Sequence, residues 1–161
     1  MTEWHNYQSG RRFIGRLTDN EDLIQAVTTL GVAEQVATAA VTINGRITQL
    51  TVGTFDPRQQ VYVTRTEQRP MEIVACRGLL STGGDRPFLH AHIVLADENT
   101  ILGGRLFSNT LAAEAECVVE ELCGPPTVRR HDDRTGQLAL TFHQTAPDGA
   151  QSSAGSIVET I

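Results

Sequence analysis

Two histidines separated by one residue are the first feature of this chain that could do chemistry. His90 and His92 lie in the apolar segment 88–96 (FLHAHIVLA), which alternates as a strand does. On a strand both side chains project from one face, about 6.6–6.8 Å apart along the chain. Such a pair can bind a divalent metal such as zinc if a third ligand comes from elsewhere. The alternative is that both rings are satisfied in the core or at a subunit contact.

A double glycine followed by a cation is the second feature. Gly103-Gly104 allows close backbone approach, and Arg105 then presents a guanidinium. A bulge or tight bend is the plainer explanation of the glycine pair. Glu72 is flanked by apolar residues on a predicted strand and is a candidate carboxylate, although an outward-facing glutamate is commoner there. Glu72 and Arg105 complete, with the two histidines, the candidate ligand-binding set.

The elements that must position these residues are predicted to be mostly strands. One helix is expected, with Asp19 or Asn20 as its N-cap, apolar residues at helical spacing from Leu23 to Leu30, and Gly31 just past its end. Segment 111–122 (LAAEAECVVEEL) also suits a helix by periodicity, although a strand is the alternative.

Turn signals divide the rest of the chain. Asn44-Gly45 predicts a two-residue hairpin between 36–43 and 46–55. Residues 81–87 (STGGDRP) are predicted to form a turn, and Asp97-Glu98-Asn99 a further hairpin after the histidine strand. The remaining predicted strands are 11–17, 60–66, 71–80, 88–96 and 137–142.

Length and composition predict one domain. The chain has 161 residues, of which 40% are hydrophobic and 20% are charged, as is typical of a globular protein. We predict a leader at 1–10, a domain at 11–142 and a flexible tail at 143–161. No secretory signal or bilayer-spanning apolar run is found, so we expect a cytoplasmic protein without membrane contact. Three cysteines without a CxxC pair are expected to be reduced.

The net charge of −6 argues against direct, nonspecific DNA binding by the chain alone, because that affinity comes from Lys and Arg at phosphates. No phosphate-binding loop, nucleophile elbow or HExxH motif is present in the sequence. Whether the protein is an enzyme is left open by these patterns.

Four segments together resemble the PPC (plants and prokaryotes conserved) domain family, which follows AT-hooks in plant nuclear proteins and stands alone in bacteria. They are Arg16–Leu23 (RLTDNEDL), Pro70–Ile73 (PMEI), Phe88–Asp97 (FLHAHIVLAD) and Gly103–Leu106 (GGRL). Their order and spacing cover roughly residues 12–142.

The resemblance implies an α/β (α+β) fold with a curved, mainly antiparallel sheet and one main packed helix. It implies a homotrimer formed through sheet edges and the histidine-bearing region. It also implies that 115–122 is a strand, which we prefer to the helix.

The chain departs from the family pattern at Arg105. Family members that bind metal have a third histidine after the double glycine, and a guanidinium cannot replace an imidazole as a ligand. The cation suits instead a carboxylate or phosphate held against His90 and His92, or an ion pair with Glu72.

Two functions follow from these observations. The first is a trimeric binding or interaction module linked to DNA-associated regulation through its relatives, although the chain has no Arg-Gly-Arg-Pro hook. The alternative is a small-molecule-binding protein or enzyme with a site at the subunit interface, where His90, His92 and Glu72 act as acid/base groups and Arg105 clamps an anion.

Overall fold

A computed structural model describes residues 2–142, which form nine strands and one helix. The elements in chain order are β1 Gln8–Thr18, α1 Leu23–Ala33, β2 Ala39–Asp56, β3 Val61–Glu67, β4 Met71–Gly83, β5 Arg86–Ala96, β6 Ile101–Leu106, β7 Leu111–Cys123, β8 Thr127–Asp132 and β9 Gln137–Phe142. The mainly antiparallel sheet with one helix is as expected, although sheet dominates the fold and the label α/β describes it only loosely. β1 begins inside the predicted leader, and the predicted tail 143–161 lies outside the described residues.

All strands join one sheet in the order β1-β7-β2-β6-β5-β4-β8-β9, with β3 beside β2. The long strand β2 pairs with β4 through residues 39–47 and with β6 through residues 52–53. Because β4 pairs with β5 and β5 with β6, these four strands close into a ring. The closure explains the strong curvature, and the pairings are antiparallel except that of β4 with β8.

The Asn44-Gly45 hairpin prediction is wrong, because both residues lie inside the continuous strand β2. Gly45 faces Ala115 on β7 and Ile73 on β4, so partners on both sides hold the chain extended. Its φ of 120° and a shift in the β2–β4 register mark a bulge at this point. A Cβ here would lie 2.6 Å from the Cα of Ala115. Glycine is needed, but for a bulge rather than a turn.

Helix α1 begins later and ends later than predicted. Asp22 is the N-cap, and its side chain accepts a hydrogen bond from the backbone N–H of Gln25. Asp19 and Asn20 instead have positive φ and turn the chain out of β1. Gly31 lies within the helix, where a Cβ would come within 3.1 Å of Leu80. The glycine lets the helix pack closely on the sheet.

Segment 111–122 is strand β7, as the family resemblance implied and its helical periodicity did not. Ala115, Cys117 and Val119 are buried at every second position, which is the period of a strand with one face on the core. β7 lies between β1 and β2, so both of its edges are paired. The predicted turn 81–87 also shortens, since β4 continues to Gly83 and β5 starts at Arg86.

The core lies between α1 and the inner face of the ring. Ile43, Leu80 and Ile93 are fully buried there together with Leu23 of the helix. The helix in the described residues is too short and too polar to cross a bilayer. The three cysteines form no disulfide, and Cys76 and Cys117 are buried.

Candidate functional site

The two histidines lie together on the outer face of β5. Leu89, Ala91 and Ile93 point into the core, so the alternation of the strand turns His90 and His92 away from it. Their ring centroids are 5.3 Å apart, with an interplanar angle of 63°. The structure therefore shows the shared face expected from their spacing.

Arg105 on β6 lies directly opposite His92. The preceding glycines make this approach possible, because a Cβ on Gly104 would lie 2.8 Å from the carbonyl oxygen of Gly53 on β2. A Cβ on Gly103 would lie 3.1 Å from the carbonyl oxygen of Ile93. The close backbone approach expected of the double glycine is thus found, whereas the bulge or tight bend is not, since β6 pairs with β5 in an unbroken register. The same packing sets Arg105 beside the histidine.

Three aromatic rings surround the Arg105 guanidinium. Its central carbon lies 4.6 Å from the ring centroid of Tyr62, 5.1 Å from that of Phe107 and 5.7 Å from that of Phe88. Gly53 leaves room for this arrangement, since a Cβ there would collide with Phe107 and lie 3.2 Å from Tyr62. The rings attract the cation through their π faces and hold its orientation.

A second arginine, Arg129 on β8, completes the group, and the sequence analysis did not single it out. Its Nη1 donates to the carbonyl oxygen of Leu138 on β9 at 3.3 Å. Burial and the nearby charge of Arg105 lower its pKa, whereas Tyr62 acts to raise it. The sequence shows only a basic pair, Arg129-Arg130, and gives no sign that one member is directed inward. We call His90, His92, Arg105 and Arg129 the cationic cluster.

The electrostatics of the cationic cluster keep one imidazole neutral. The pKa of His90 is lowered to about 4, first by burial and then by the positive charges of Arg129, Arg105 and His92. At pH 7 the ring is therefore uncharged and offers one N–H donor and one acceptor.

Several polar atoms of the cationic cluster are buried without a hydrogen-bond partner in the described part of the chain. They are Nδ1 of His90 and the Nε atoms of Arg105 and Arg129. Across residues 2–142, no carboxylate lies within ion-pair distance of either arginine. Buried donors without acceptors are rare and costly, so this arrangement needs an explanation.

Glu72 lies apart from the other candidate residues. It faces Ala96 on β5, four residues along the strand from His92, which is about 13 Å. Its side chain is exposed, and the ion pair with Arg105 considered from the sequence is not formed. The structure therefore brings His90, His92 and Arg105 together but leaves Glu72 outside.

The donor set of the cationic cluster does not fit a divalent metal. Between residues 2 and 142 no three His, Cys, Asp or Glu side chains converge in a way that could hold one. Two imidazoles fall short of the three protein ligands usual for zinc, and Arg105 and Arg129 add positive charge that repels a cation.

A groove of about 480 Å³ lies elsewhere, between α1 and strands β1 and β7. Its charged groups are engaged within the fold: Arg16 pairs with Glu114, Asp22 caps α1, and Glu21 accepts from the N–H of Thr18. None of the cationic cluster lines it. The unpaired polar groups are thus not in this groove.

Comparison with known families agrees with the fold. A family model of the Plants and Prokaryotes Conserved (PCC) domain matches residues 5–123. The chain belongs to the PCC domain family. The match runs from the N-terminal segment through β7 and includes His90, His92 and Arg105, whereas Arg129 lies beyond it. The resemblance stated from the sequence is confirmed.

Solved structures share this PCC fold. A metal-containing protein of Archaeoglobus fulgidus is 25% identical, has a TM-score of 0.83 and covers 87% of this chain and 99% of its own. A plant- and prokaryote-conserved protein of Pyrococcus horikoshii is 22% identical, with a TM-score of 0.81 and coverage of 89% and 99%. A Bacteroides thetaiotaomicron protein, proposed to bind DNA, is 22% identical, with a TM-score of 0.74 and coverage of 84% and 97%. No curated protein matches the chain significantly.

Proposed function

We propose that this PCC protein is a binding module that holds a small anionic ligand, a carboxylate or a phosphate, at the cationic cluster. The observation that carries the proposal is the pair of buried guanidinium Nε–H groups, on Arg105 and Arg129, that have no acceptor among residues 2–142. An anion between them supplies the acceptor and the opposite charge together.

The chemistry of the side chains favours such a ligand. A guanidinium presents parallel N–H donors that match the oxygens of carboxylates and phosphates. The rings of Tyr62 and Phe107 exclude water on one side of Arg105, which strengthens its attraction for an anion. His92, whose ring lies beside His90, adds a further polar contact at the same face. The site needs no metal to attract an anion, because its own cations provide the charge.

A trimer remains our proposal for the assembly. Apolar side chains continue the outer face beyond the cationic cluster: Val94, two residues after His92, is 38% exposed, and Val74 and Ile101 on the neighbouring strands are 62% and 74% exposed. A face of this kind is usually covered by another chain. Light scattering is expected to give three times the 17.5 kDa chain mass, and Val94→Asp to reduce it. A monomeric wild-type protein contradicts the trimer.

A link to DNA-associated regulation then requires a partner that contacts the nucleic acid. The acidic chain has a net charge of −6, and its arginines on β1 are paired with carboxylates. The catalytic alternative required Glu72 as an acid/base group beside the histidines, but Glu72 lies about 13 Å along the sheet from His92. Ligand binding is thus the function that the described residues support best.

Titration calorimetry tests the proposal directly. Wild-type protein at low ionic strength is titrated with inorganic phosphate and with acetate, with and without EDTA. We expect binding of at least one anion, insensitivity to EDTA, and a loss of about tenfold or more in Arg105→Gln, since hydrogen bonds to charged groups contribute about 1.5–3 kcal/mol. Arg58→Gln, an exposed arginine in the β2–β3 turn, is the control with the same charge change. No binding by wild type, or equal binding by Arg105→Gln, overturns the proposal.

A further inference from the structure

Arg129 reaches the cationic cluster from a separate part of the chain. It lies on the β8–β9 hairpin, beyond the residues that the family model matches. A single parallel pairing, Thr82 with Val128, sets β8 against β4 next to the histidine strand. The neighbouring Arg130 is exposed, whereas the Nε atom of Arg129 is buried.

We propose that Arg129 and Arg105 form a two-guanidinium clamp that selects a phosphoryl dianion over a monocarboxylate. The inference rests on the proposed function and names the ligand class of the same site. It also gives Arg129, which no motif marks, the role of setting specificity.

Charge balance is the first argument for the clamp. Burial, and then the positive charge of the nearby Arg105, lower the pKa of Arg129, so the two guanidinium groups lie close enough to repel one another. No carboxylate of the described chain offsets this repulsion. A ligand with one negative charge neutralises one guanidinium, whereas a phosphoryl dianion neutralises both.

Hydrogen bonding is the second argument. The unpartnered buried atoms are two guanidinium Nε groups and Nδ1 of His90, three positions on one cluster. A phosphoryl group has three terminal oxygens, one for each of these three nitrogen atoms, whereas a carboxylate has only two oxygens. The neutral His90 ring can donate through Nδ1 in the appropriate tautomer, which leaves the two arginines to balance the charge.

The test compares three small anions at pH 8, where phosphate and its monoesters are mostly dianionic. Wild type, Arg129→Gln and the control Arg130→Gln are titrated with methyl phosphate, inorganic phosphate and acetate. We expect wild type to bind a phosphate at least about tenfold more tightly than acetate. Arg129→Gln is expected to lose about 10- to 100-fold in phosphate affinity but less than about threefold in acetate affinity, and Arg130→Gln to match wild type.

Failure of the clamp is distinguishable from failure of the proposed function. Acetate binding as tight as phosphate binding, equal losses of both ligands in Arg129→Gln, or the same losses in Arg130→Gln overturn the clamp while anion binding stands. Binding of neither ligand by wild type overturns the proposed function itself. Preference for methyl phosphate or for inorganic phosphate supports the clamp in either case and decides whether an ester or the free ion is the ligand.

Arg129→Lys guards against a loss caused only by disruption of the β8–β9 hairpin. Lysine keeps the charge and loses the planar fork, so we expect a phosphate affinity between those of wild type and Arg129→Gln. Circular dichroism and the thermal midpoint report whether each variant is folded. If Arg129→Lys is folded and loses as much phosphate affinity as Arg129→Gln, the planar guanidinium rather than the charge alone binds the ligand, which supports the clamp. If Arg129→Gln is folded and keeps its phosphate affinity, the clamp is contradicted.

Discussion

Two groups of arginines in this molecule lie in opposite surroundings. On β1, Arg11, Arg12 and Arg16 each donate to a glutamate of the adjacent strand β7, at 2.8–3.2 Å. In the cationic cluster, Arg105 lies against aromatic rings, and Arg105 and Arg129 both bury Nε atoms that have no acceptor among residues 2–142. Arginines of the first kind join two strands, whereas those of the second kind keep their charge and donors for a ligand.

The register of the strands explains the difference. Arg12 faces Glu120 across the β1–β7 pairing, and Arg16 faces Glu116 and donates to Glu114, so both cations meet glutamates of β7. Arg105 instead faces His92 on β5 and Gly53 on β2, neither of which carries a negative charge. The pairing of β6 with its neighbours therefore offers Arg105 no carboxylate on either adjacent strand.

The largest expected effect comes from making the cationic cluster resemble the β1–β7 pairs. His92→Glu places a carboxylate directly opposite Arg105. It is expected to weaken anion binding by about 30-fold, because the new carboxylate occupies Arg105 and repels the ligand. Titration with inorganic phosphate measures this loss.

His92→Gln is the matched control for that experiment. It removes the imidazole without adding charge, so a much smaller loss of affinity is expected. The glutamate variant should also be as stable as wild type or slightly more stable, by less than about 1 kcal/mol, since a partly exposed ion pair contributes little. Equal ligand affinity in wild type and His92→Glu would show that the cluster is not the anion site.

The second expected effect concerns pH. The pKa of His90 in the folded protein is about 4, below its ordinary value of 6.5, so the unfolded chain binds more protons between these values. The free energy of unfolding is therefore expected to fall as pH drops from 6.5 towards 4. The contribution is about 1–2 kcal/mol, less than the full equivalent of the lowered pKa because solvent partly reaches the ring.

Urea unfolding of wild type and His90→Gln at pH 7 and pH 5 measures this contribution. The charged or titratable groups that face His90 are His92, Arg105 and Arg129. The difference in pH dependence between wild type and His90→Gln isolates the contribution of His90. The contribution of Glu121 is lost only at lower pH: hydrogen bonds from Arg11 lower its pKa to about 2, so its pairing persists at pH 5. An identical pH dependence in both proteins contradicts the role assigned to His90.

The parts predicted from sequence depend on local periodicity. Alternation in 88–96 correctly placed His90 and His92 on one face, and the spacing to Arg105 correctly suggested that β5 and β6 would bring it close. The strands 60–66 and 137–142 appear within one residue of their predicted bounds. Each of these features follows from residues near one another in the chain.

The parts that failed depend on partners distant in the chain. Asn44-Gly45 has strong turn chemistry, but β4 and β7 pair with it on both sides and keep the strand continuous. Arg129 joins the cationic cluster through the pairing of Thr82 with Val128, which no local pattern announces. Glu72 shares a strand with apolar neighbours as predicted, yet only the register shows that it lies opposite Ala96, far from His92.

The smallest expected effect is at the β1–β7 pairs. Arg12→Gln removes a single hydrogen bond of 3.2 Å to Glu120 between two exposed side chains. We expect the free energy of unfolding to fall by less than about 0.5 kcal/mol, because solvent screens the pair and freeing both side chains regains entropy. Urea unfolding measures the change, and phosphate affinity should be unaffected.

Arg11→Gln should destabilise the protein more than Arg12→Gln, since Arg11 contacts Glu121 through both Nε and Nη2 and also donates to the backbone of Glu34. Arg12→Gln could instead weaken phosphate binding as much as Arg105→Gln does. Affinity would then depend on long-range charge rather than on the local geometry of the cationic cluster. In that case the distinction between paired and unpaired arginines would have no functional meaning.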